Sequence, residues 1–410
     1  MSKDKHIPQG YKDSPLGIIP KEWEVKRLGD LCYNQGDYGL NAPATDYSVD
    51  LPTYLRITDI DDNGKFIHVD KKSVDSISTE NYYLKKGDIV FARTGATVGK
   101  TYLYDKRDGK LVYAGFLIKF SPNPTKLLSY YLKVHTETQN YKNWVSVTSQ
   151  RSGQPGINAT EYCSFRIATP PIKEQKQICS ILQLWDTAIE KQSELIEKLT
   201  LRKRALMQQL LTGKKRLPGF SEDWKETKLG EVFIERNETN RSELPLLSIT
   251  GDKGVIYQSE SDKRDISNDD KSKYKRICPN DIGYNTMRMW QGRSALSQIE
   301  GIVSPAYTIV TPTEGIDVRF MAMLIKQPRV VYDFWTHSQG LVSDTLNCKY
   351  PDFSQVKVCI PTKEEQKAIA DMLYGFDKEI ELANEKLANL QSQKRGLMQQ
   401  LLTGKKRINS

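Results

Sequence analysis

The chain has 410 residues and a formal net charge of +9, from 60 Lys and Arg against 51 Asp and Glu. Its 38% hydrophobic content and 21 Tyr exclude a disordered or fibrous protein, and the length predicts two or three domains. The excess of basic residues favours a polyanionic partner, and a merely basic soluble protein is the alternative. The six scattered Cys form no CxxC pair, and no signal peptide or membrane-length apolar segment is present. We therefore expect a cytoplasmic protein with reduced thiols and no membrane partner.

Residues 1–169 have the composition of a mixed α/β globular domain. Strand-like runs at residues 54–60, 88–92 and 117–120 are separated by segments rich in Gly, Pro, Asn and Asp. This pattern predicts a first globular unit that ends near Thr169, before the helical signal begins.

A glycine-rich segment at residues 92–101 resembles a phosphate-binding P-loop. Only three residues separate Gly95 from Gly99, where the P-loop has four, so we do not expect it to bind a nucleotide. Its backbone N–H groups could instead approach phosphates or a base edge. The candidate nucleic-acid contacts are Arg93, Thr94, Gly95 and Lys100, and an ordinary tight turn is the alternative.

A second polar, glycine-containing stretch lies late in the same unit, at residues 149–154. Its candidate contacts are Arg151 and Gln154. A solvated surface loop is an equally good interpretation.

Residues 170–216 carry two apolar stripes at helical spacing, which predicts a long helix ending at Gly213. The basic residues 214–216 suit either a helix C-terminus or attraction to phosphate. Glu174, at the predicted helix start, is interpreted as a capping residue rather than as the tail of a nuclease motif.

Residues 217–360 repeat the strand-and-turn pattern and predict a second globular unit. The segment 280–293 occupies the place that the glycine-rich segment 92–101 holds in the first unit, and its candidates are Arg288, Gln291 and Arg293. Arg suits guanine, and Gln suits adenine. Trp290 is expected in the core, and Ser338 and Gln339 are further candidates in a late polar stretch.

Residues 361–410 predict a second long helix that duplicates the first. The sequence at 203–216 returns at 394–407 with a single change, Ala205 to Gly396. Such long apolar stripes must be buried, and we expect the two helices to form an antiparallel coiled coil, although each helix could instead lie on its own globular unit. The residues expected to pack are Ile178, Leu182, Trp185, Ile189, Leu199, Leu206, Ile369, Leu373, Phe376, Ile380, Leu390 and Leu397.

Several anchors together resemble the specificity subunit of type I restriction–modification systems. They are the entry at residues 17–23, the segment 87–95, the junctions at 170–176 and 360–367, and the duplicated 210–214. The resemblance implies two target-recognition domains (1–169 and 217–360) and two helical spacers (170–216 and 361–410). The expected fold is mixed α/β with internal pseudo-two-fold symmetry, and each domain is expected to recognise half of a bipartite site in double-stranded DNA.

The same resemblance implies that catalysis resides in other subunits. It predicts two methylation subunits docked on the helices, with restriction subunits in the full complex. The sequence has no adenine-N6 methyltransferase signature, no GxGxxG loop and no His with metal-ligand spacing. We therefore expect no catalytic residue, metal or cofactor on this chain, and S-adenosylmethionine, ATP and Mg²⁺ on the partners. A coiled-coil assembly adaptor and a self-contained nuclease–methyltransferase are the alternatives.

Overall fold

A computed structural model describes residues 7–251, 253–261, 269–340 and 345–408 of the chain. The first predicted domain begins at residue 1 and the last ends at residue 410, and both of these residues lie outside the described ranges. The chain forms two compact units, residues 1–192 with 386–410, and residues 193–385. Each unit therefore combines one globular part with half of each long helix.

The first unit combines short strands with short helices around the beginning of one long helix. Its strands are β1 (Tyr11–Lys12), β2 (Ile19–Pro20), β3 (Glu24–Arg27), β4 (Asp37–Tyr38), β5 (Thr45–Asp46), β6 (Thr53–Leu55), β7 (Lys72–Ser73), β8 (Ile89–Ala92), β9 (Thr101–Leu103), β10 (Leu111–Tyr113), β11 (Leu117–Phe120) and β12 (Arg166–Thr169). Its helices are α1 (Leu28–Leu31), α2 (Ser129–Thr136), α3 (Gln139–Thr148), α4 (Ala159–Cys163) and the first half of α5 (Ile172–Leu210).

The second unit has a similar succession of elements. Its strands are β13 (Lys225–Lys228), β14 (Phe233–Arg236), β15 (Leu247–Ile249), β16 (Val255–Tyr257), β17 (Lys275–Ile277), β18 (Ile282–Asn285), β19 (Ser294–Leu296), β20 (Gly301–Val303), β21 (Tyr307–Pro312) and β22 (Lys357–Ile360). Its helices are α6 (Leu229–Val232), α7 (Val318–Leu324), α8 (Pro328–His337), α9 (Tyr350–Gln355) and the first half of α10 (Lys363–Leu402).

Each globular part contains a four-stranded antiparallel sheet with the same topology. The strand order is β4-β11-β8-β9 in the first unit and β14-β21-β18-β19 in the second. In each unit a strand near the domain entry also pairs with the strand that precedes the long helix, as β3 with β12 and β13 with β22. The two globular parts therefore share a topology, although their sequences match only at short anchors.

In each sheet one inner strand, β8 or β18, begins at a tight turn that an aspartate closes. The Asp88 carboxylate accepts hydrogen bonds from the Lys85 N–H (2.8 Å) and the Ser121 hydroxyl (2.7 Å). The Asp281 carboxylate does the same with the Cys278 N–H (2.7 Å) and the Thr311 hydroxyl (2.7 Å). The preceding residues, Gly87 and Asn280, have φ of 96° and 69°, a left-handed conformation that these two residue types adopt readily.

Two of the three predicted strands are confirmed, at residues 88–92 and 117–120. The third prediction, residues 54–60, is wrong beyond Leu55, because a 3-10 helix covers Ile57–Asp59. The Asp59 carboxylate accepts hydrogen bonds from the Arg56 N–H (2.8 Å) and the Arg56 guanidinium (2.6 Å). This local ring of polar contacts stabilises the turn over the extended conformation that the apolar residues favour.

The two long helices run antiparallel to each other within each unit. In the first unit, Lys394 Nζ lies 2.7 Å from Asp186 Oδ1, and Arg407 Nε donates to Glu174 Oε1 at 2.7 Å. Moving forward 12 residues from Glu174 to Asp186 thus corresponds to moving back 13 residues from Arg407 to Lys394. The second unit repeats both contacts with the roles of the helices exchanged, as Lys203 with Asp377 and Arg216 with Glu365. The predicted antiparallel pair is confirmed.

The expected packing residues differ in burial along the helices. The buried ones are Ile178, Leu182, Ile369, Leu373 and Phe376, and the half-buried ones are Trp185, Ile189, Leu199, Leu206, Ile380, Leu390 and Leu397. Ile178 and Leu182 also belong to the core of the first globular part, as Ile369 and Leu373 belong to that of the second. The helices consequently pack both on each other and on the globular parts. The antiparallel pair and the packing of each helix on its own globular part, which we had treated as alternatives, therefore occur together.

The ends of the long helices carry an arginine–glutamate contact that we call the clasp. The pairs are Arg407 with Glu174 in the first unit and Arg216 with Glu365 in the second. Our interpretation of Glu174 as a capping residue is wrong, because its carboxylate binds the Arg407 guanidinium and accepts the Trp23 indole N–H at 3.0 Å. The glycines that follow both helices, Gly213 and Gly404, have φ of 69° and 68°, which confirms the predicted C-terminal caps.

Candidate nucleic-acid interface

Two segments that are distant in the sequence form one surface in the first unit. Thr94 makes an isolated β-bridge with Gly156, the Gly95 N–H donates to the Pro155 carbonyl (3.0 Å), and the Ile157 N–H donates to the Arg93 carbonyl (2.9 Å). We call residues 93–97 and 149–157 the first loop surface. It brings together the candidates Arg93, Thr94, Gly95 and Gln154, which the sequence presented as two separate groups.

Gly95 suits this surface because a larger residue there would be strained and crowded. Its φ is 74°, and a Cβ atom there would lie 3.0 Å from Gln154 Nε2. The glycine therefore allows the side chain of Gln154 to lie directly against the hairpin loop that carries Arg93.

The Arg93 side chain is held by an aromatic ring rather than by a carboxylate. Its guanidinium carbon lies 4.8 Å from the ring centroid of Tyr38, a residue that the sequence analysis did not single out. The backbone N–H of Arg93 donates to the Phe116 carbonyl at 3.0 Å. This cation–π contact restrains the guanidinium, and its N–H donors remain available for a ligand because they bond to no described residue.

Lys100 and Arg151 differ from Arg93 because both have partners within the unit. Lys100 Nζ lies 2.7 Å from Asp62 Oδ1, and this hydrogen bond lowers the pKa of the Asp62 carboxyl. The Arg151 guanidinium donates to the Thr148 carbonyl (2.9 Å) and to Glu161. Their contacts with nucleic acid remain a prediction, and their present contacts hold the loops in shape.

The expectation that the glycine-rich loop offers free backbone N–H groups is wrong for most of its length. The amides of Gly95, Val98, Gly99 and Lys100 donate to the carbonyls of Pro155, Gly95, Ala92 and Thr97, at 3.0 to 3.1 Å. The loop is a 3-10 turn, Gly95–Thr97, inside a hairpin, and its internal hydrogen bonds leave few amides for a phosphate.

The second unit presents three exposed polar side chains on the loop that follows β18. Arg288, Gln291 and Arg293 make no side-chain hydrogen bond or ion pair with any residue in the described ranges. A 3-10 turn, Met289–Gln291, and the left-handed Gly292 (φ 71°) shape this loop. Our placement of Trp290 in the core is wrong: Met289 takes the buried position, and the Trp290 indole N–H donates to the Met287 carbonyl (3.0 Å) at the surface.

Ser338 and Gln339 lie on a segment that is connected to this loop through backbone hydrogen bonds. The Gln339 and Asn347 backbones exchange two hydrogen bonds (2.9 and 2.8 Å), and the Cys348 N–H donates to the Thr286 carbonyl (2.9 Å). The Ser338 hydroxyl donates to the Phe334 carbonyl (2.7 Å), and Gln339 Nε2 donates to Asp352 (3.2 Å). We call residues 286–293, 338–340 and 345–348 the second loop surface.

The two loop surfaces have the same backbone design but different side chains. The Thr286 N–H donates to the Ala306 carbonyl (3.2 Å), as the Arg93 N–H does to the Phe116 carbonyl (3.0 Å). The Thr286 carbonyl accepts from Cys348, as that of Arg93 does from Ile157. Thr286 is therefore the structural counterpart of Arg93, and the cations of the second surface lie farther along the loop.

The described residues contain no group of three or more His, Cys, Asp or Glu placed to hold a metal ion. Among the described helices, none combines the length and the apolarity that crossing a membrane requires.

The chain is similar over almost its whole length to known specificity subunits. A family model described as type I restriction modification DNA specificity domain matches residues 20–201 and again residues 221–392. The type I restriction enzyme MjaVIII specificity subunit of Methanocaldococcus jannaschii is 24% identical over 443 residues, covering 98% of this chain and 99% of that protein. The candidate MjaX specificity subunit of the same organism is 26% identical over 434 residues and covers 98% of both chains.

Two solved structures share the fold. A chain from a type I restriction–modification system, studied for its assembly and conformational transition, has a TM-score of 0.55 at 16% identity, covering 94% of this chain and 99% of its own length. The S subunit from M. genitalium has a TM-score of 0.54 at 14% identity, covering 93% and 96%. With the family model matching both halves, the chain belongs to the specificity subunits of type I restriction–modification systems and carries two DNA specificity domains.

Proposed function

We propose that each unit recognises one half of a bipartite sequence in double-stranded DNA. The observation that supports this best is the duplicated loop surface, in which one backbone arrangement carries two different sets of side chains. The shared backbone arrangement suits two surfaces that both bind DNA. The different side chains suit recognition of two different base sequences.

In the first unit, Arg93, Thr94 and Gln154 are the proposed base contacts. The guanidinium of Arg93, held over the Tyr38 ring, suits bidentate hydrogen bonds to guanine O6 and N7, and the amide of Gln154 suits adenine N6 and N7. Gly95 permits their close approach. Lys100 and Arg151 contribute by holding the loops, and their positive charge attracts the DNA backbone.

In the second unit, Arg288, Gln291 and Arg293 are the proposed base contacts. They are exposed and have no partner among the described residues, so no ion pair must break before they bind DNA. Ser338 and Gln339 already bond within the unit, and we assign them the role of holding the loop surface beside Arg288.

The paired helices α5 and α10 are proposed to set the gap between the two recognised halves and to dock two methylation subunits. The repetition of the Lys–Asp and Arg–Glu contacts in both units gives two equivalent sets of surfaces, which suits two copies of one partner. In this assignment the chain supplies no catalytic group in the cytoplasmic complex. S-adenosylmethionine, ATP and Mg²⁺ bind to the methylation and restriction subunits.

Binding of the complex between this chain and its methylation subunits to duplexes with one scrambled half tests the proposal. Arg93→Ala should weaken binding to the intact site by about 1–3 kcal/mol, and it should cost nothing further when the first half is already scrambled. Arg288→Ala should behave in the same way for the second half. Binding that ignores the sequence of both halves would favour an assembly adaptor without its own DNA recognition.

A further inference from the structure

Phe116 is a large apolar side chain exposed at the first loop surface. It is 58% exposed, whereas the flanking Ala114 and Leu117 are 6% and 0% exposed. It occupies the turn between β10 and β11, where the residues around it form the core of the unit.

Backbone hydrogen bonds hold the turn that carries Phe116. The Phe116 carbonyl accepts the Arg93 N–H (3.0 Å), the Leu117 N–H donates to the Ala114 carbonyl (2.8 Å), and the Gly115 N–H donates to the Leu40 carbonyl (2.8 Å). These hydrogen bonds fix the backbone of the turn, and the Phe116 ring lies at the surface of this ordered turn.

The surroundings of Phe116 are those of the proposed DNA contacts. Its carbonyl is bonded to Arg93, whose guanidinium stacks on Tyr38, itself on the strand next to β11. At the equivalent turn of the second unit, the carbonyl that accepts from Thr286 belongs to Ala306, which has no large apolar group. At this one turn, therefore, the first unit presents an apolar ring and the second unit presents only a methyl group.

We infer that Phe116 contacts the 5-methyl group of a thymine in the first half of the recognised sequence. This inference rests on the proposed function, because it needs DNA on the first loop surface. In the major groove the thymine methyl is the apolar feature that a base pair presents, and an exposed ring beside a hydrogen-bonding Arg matches it. Burial of the ring against that methyl removes apolar surface from water on both partners.

Deoxyuridine substitution tests this contact, because it removes only the methyl group. The wild-type complex with its methylation subunits is measured on duplexes in which each thymine of the first half is replaced in turn. One replacement should weaken binding about fourfold, the effect of one methyl group lost from an apolar contact. Phe116→Ala should weaken binding to the thymine duplex and bind the two duplexes equally, while Phe116→Leu should retain part of the difference.

Two controls separate this contact from general effects. Ile77→Ala removes another exposed apolar side chain of the same unit and should leave the thymine–deoxyuridine difference intact. Replacements in the second half should not depend on Phe116. The inference is overturned if Phe116→Ala retains the sensitivity to deoxyuridine, or if no thymine of the first half matters to the wild type. If scrambling the whole first half has no effect on the wild type, the proposed function itself fails.

Discussion

At the scale of single residues, the clasp shows how the chain joins its helix ends. The Glu174 side chain is only 10% exposed and receives the Trp23 indole N–H together with the Arg407 guanidinium. Glu365 receives Arg216 in the same way, but the buried indole nitrogen of Trp224 has no partner in the described structure. A buried carboxylate that loses its arginine strongly destabilises the fold. Here the partial exposure of both arginines reduces that loss of stability.

Removing either arginine should therefore destabilise the unit that contains it. We expect Arg407→Met to lower the free energy of unfolding by about 1–3 kcal/mol, and Arg216→Met to lower it as well. Urea denaturation measures the loss, and hydrogen exchange should locate it in the unit of the changed clasp. Lys406→Met, at an exposed neighbouring position, should stay within about 0.5 kcal/mol of the wild type. An equal loss in this control would show that the clasp is not the cause.

His135 predicts a pH dependence of stability. The ring is buried against Tyr131 with centroids 4.7 Å apart, and its Nε2 has no partner among the described residues. Burial lowers the pKa of His135 to about 3. Between pH 6.5 and 3 the unfolded chain binds one more proton than the folded chain, so folding weakens as the pH falls. Above pH 6.5 the His135 ring is neutral in both the folded and the unfolded chain, so it no longer weakens folding.

The expected slope is a loss of up to about 1.4 kcal/mol for each pH unit below 6. Urea denaturation at pH 7, 6 and 5 measures it, and His135→Phe should remove this part of the slope while filling the same space. Identical slopes for the wild type and His135→Phe would show that His135 does not titrate as argued.

At the scale of elements, the sequence predicted the long helices better than the sheets. The apolar stripes and the duplicated glycine ends are local signals, and α5 and α10 agree with them within a few residues. The shared sheet topology was not predictable, because it depends on pairings between distant strands whose side chains have diverged. The turn of Ile57–Asp59 was missed since its cause is a polar ring around Asp59 rather than an apolar pattern.

The candidate site was predicted in its segments but not in its arrangement. The Gly-rich loop and the late polar stretch were both identified, yet their β-bridge at Thr94 and Gly156 gives no sequence signal. The stacking of Arg93 on Tyr38, and the place of Thr286 as its counterpart, likewise depend on tertiary contacts. The sequence did identify Arg and Gln candidates in these segments.

Lengthening the helix pair should lengthen the gap in the recognised sequence. Seven residues inserted between Ile189 and Leu199, with seven more between Ile380 and Leu390, preserve the apolar stripe and add about 10 Å. This length corresponds to about three base pairs. Sequencing of the methylated sites should show the same two halves with a longer gap. An active variant with an unchanged gap would mean that the helices do not set the spacing.

At the scale of the whole molecule, we propose that this chain recognises the DNA and that its partner subunits carry out the chemistry. We expect the purified chain, incubated with labelled S-adenosylmethionine and DNA, to transfer no methyl group, because it offers no sequence signature for that cofactor. Adding the methylation subunits should restore transfer to DNA that contains the site. Robust transfer by the chain alone would contradict this division.

The most direct test of the central claim, that each unit recognises its own half, is the sequencing of methylated sites in cells with the partner subunits. Three forms are compared: the wild type, a first-unit variant with Ala at Arg93, Thr94 and Gln154, and a second-unit variant with Ala at Arg288, Gln291 and Arg293. Each variant should relax the bases of one half and leave the other half and the gap unchanged. Loss of both halves together in either variant, with the protein still assembled, would contradict the claim.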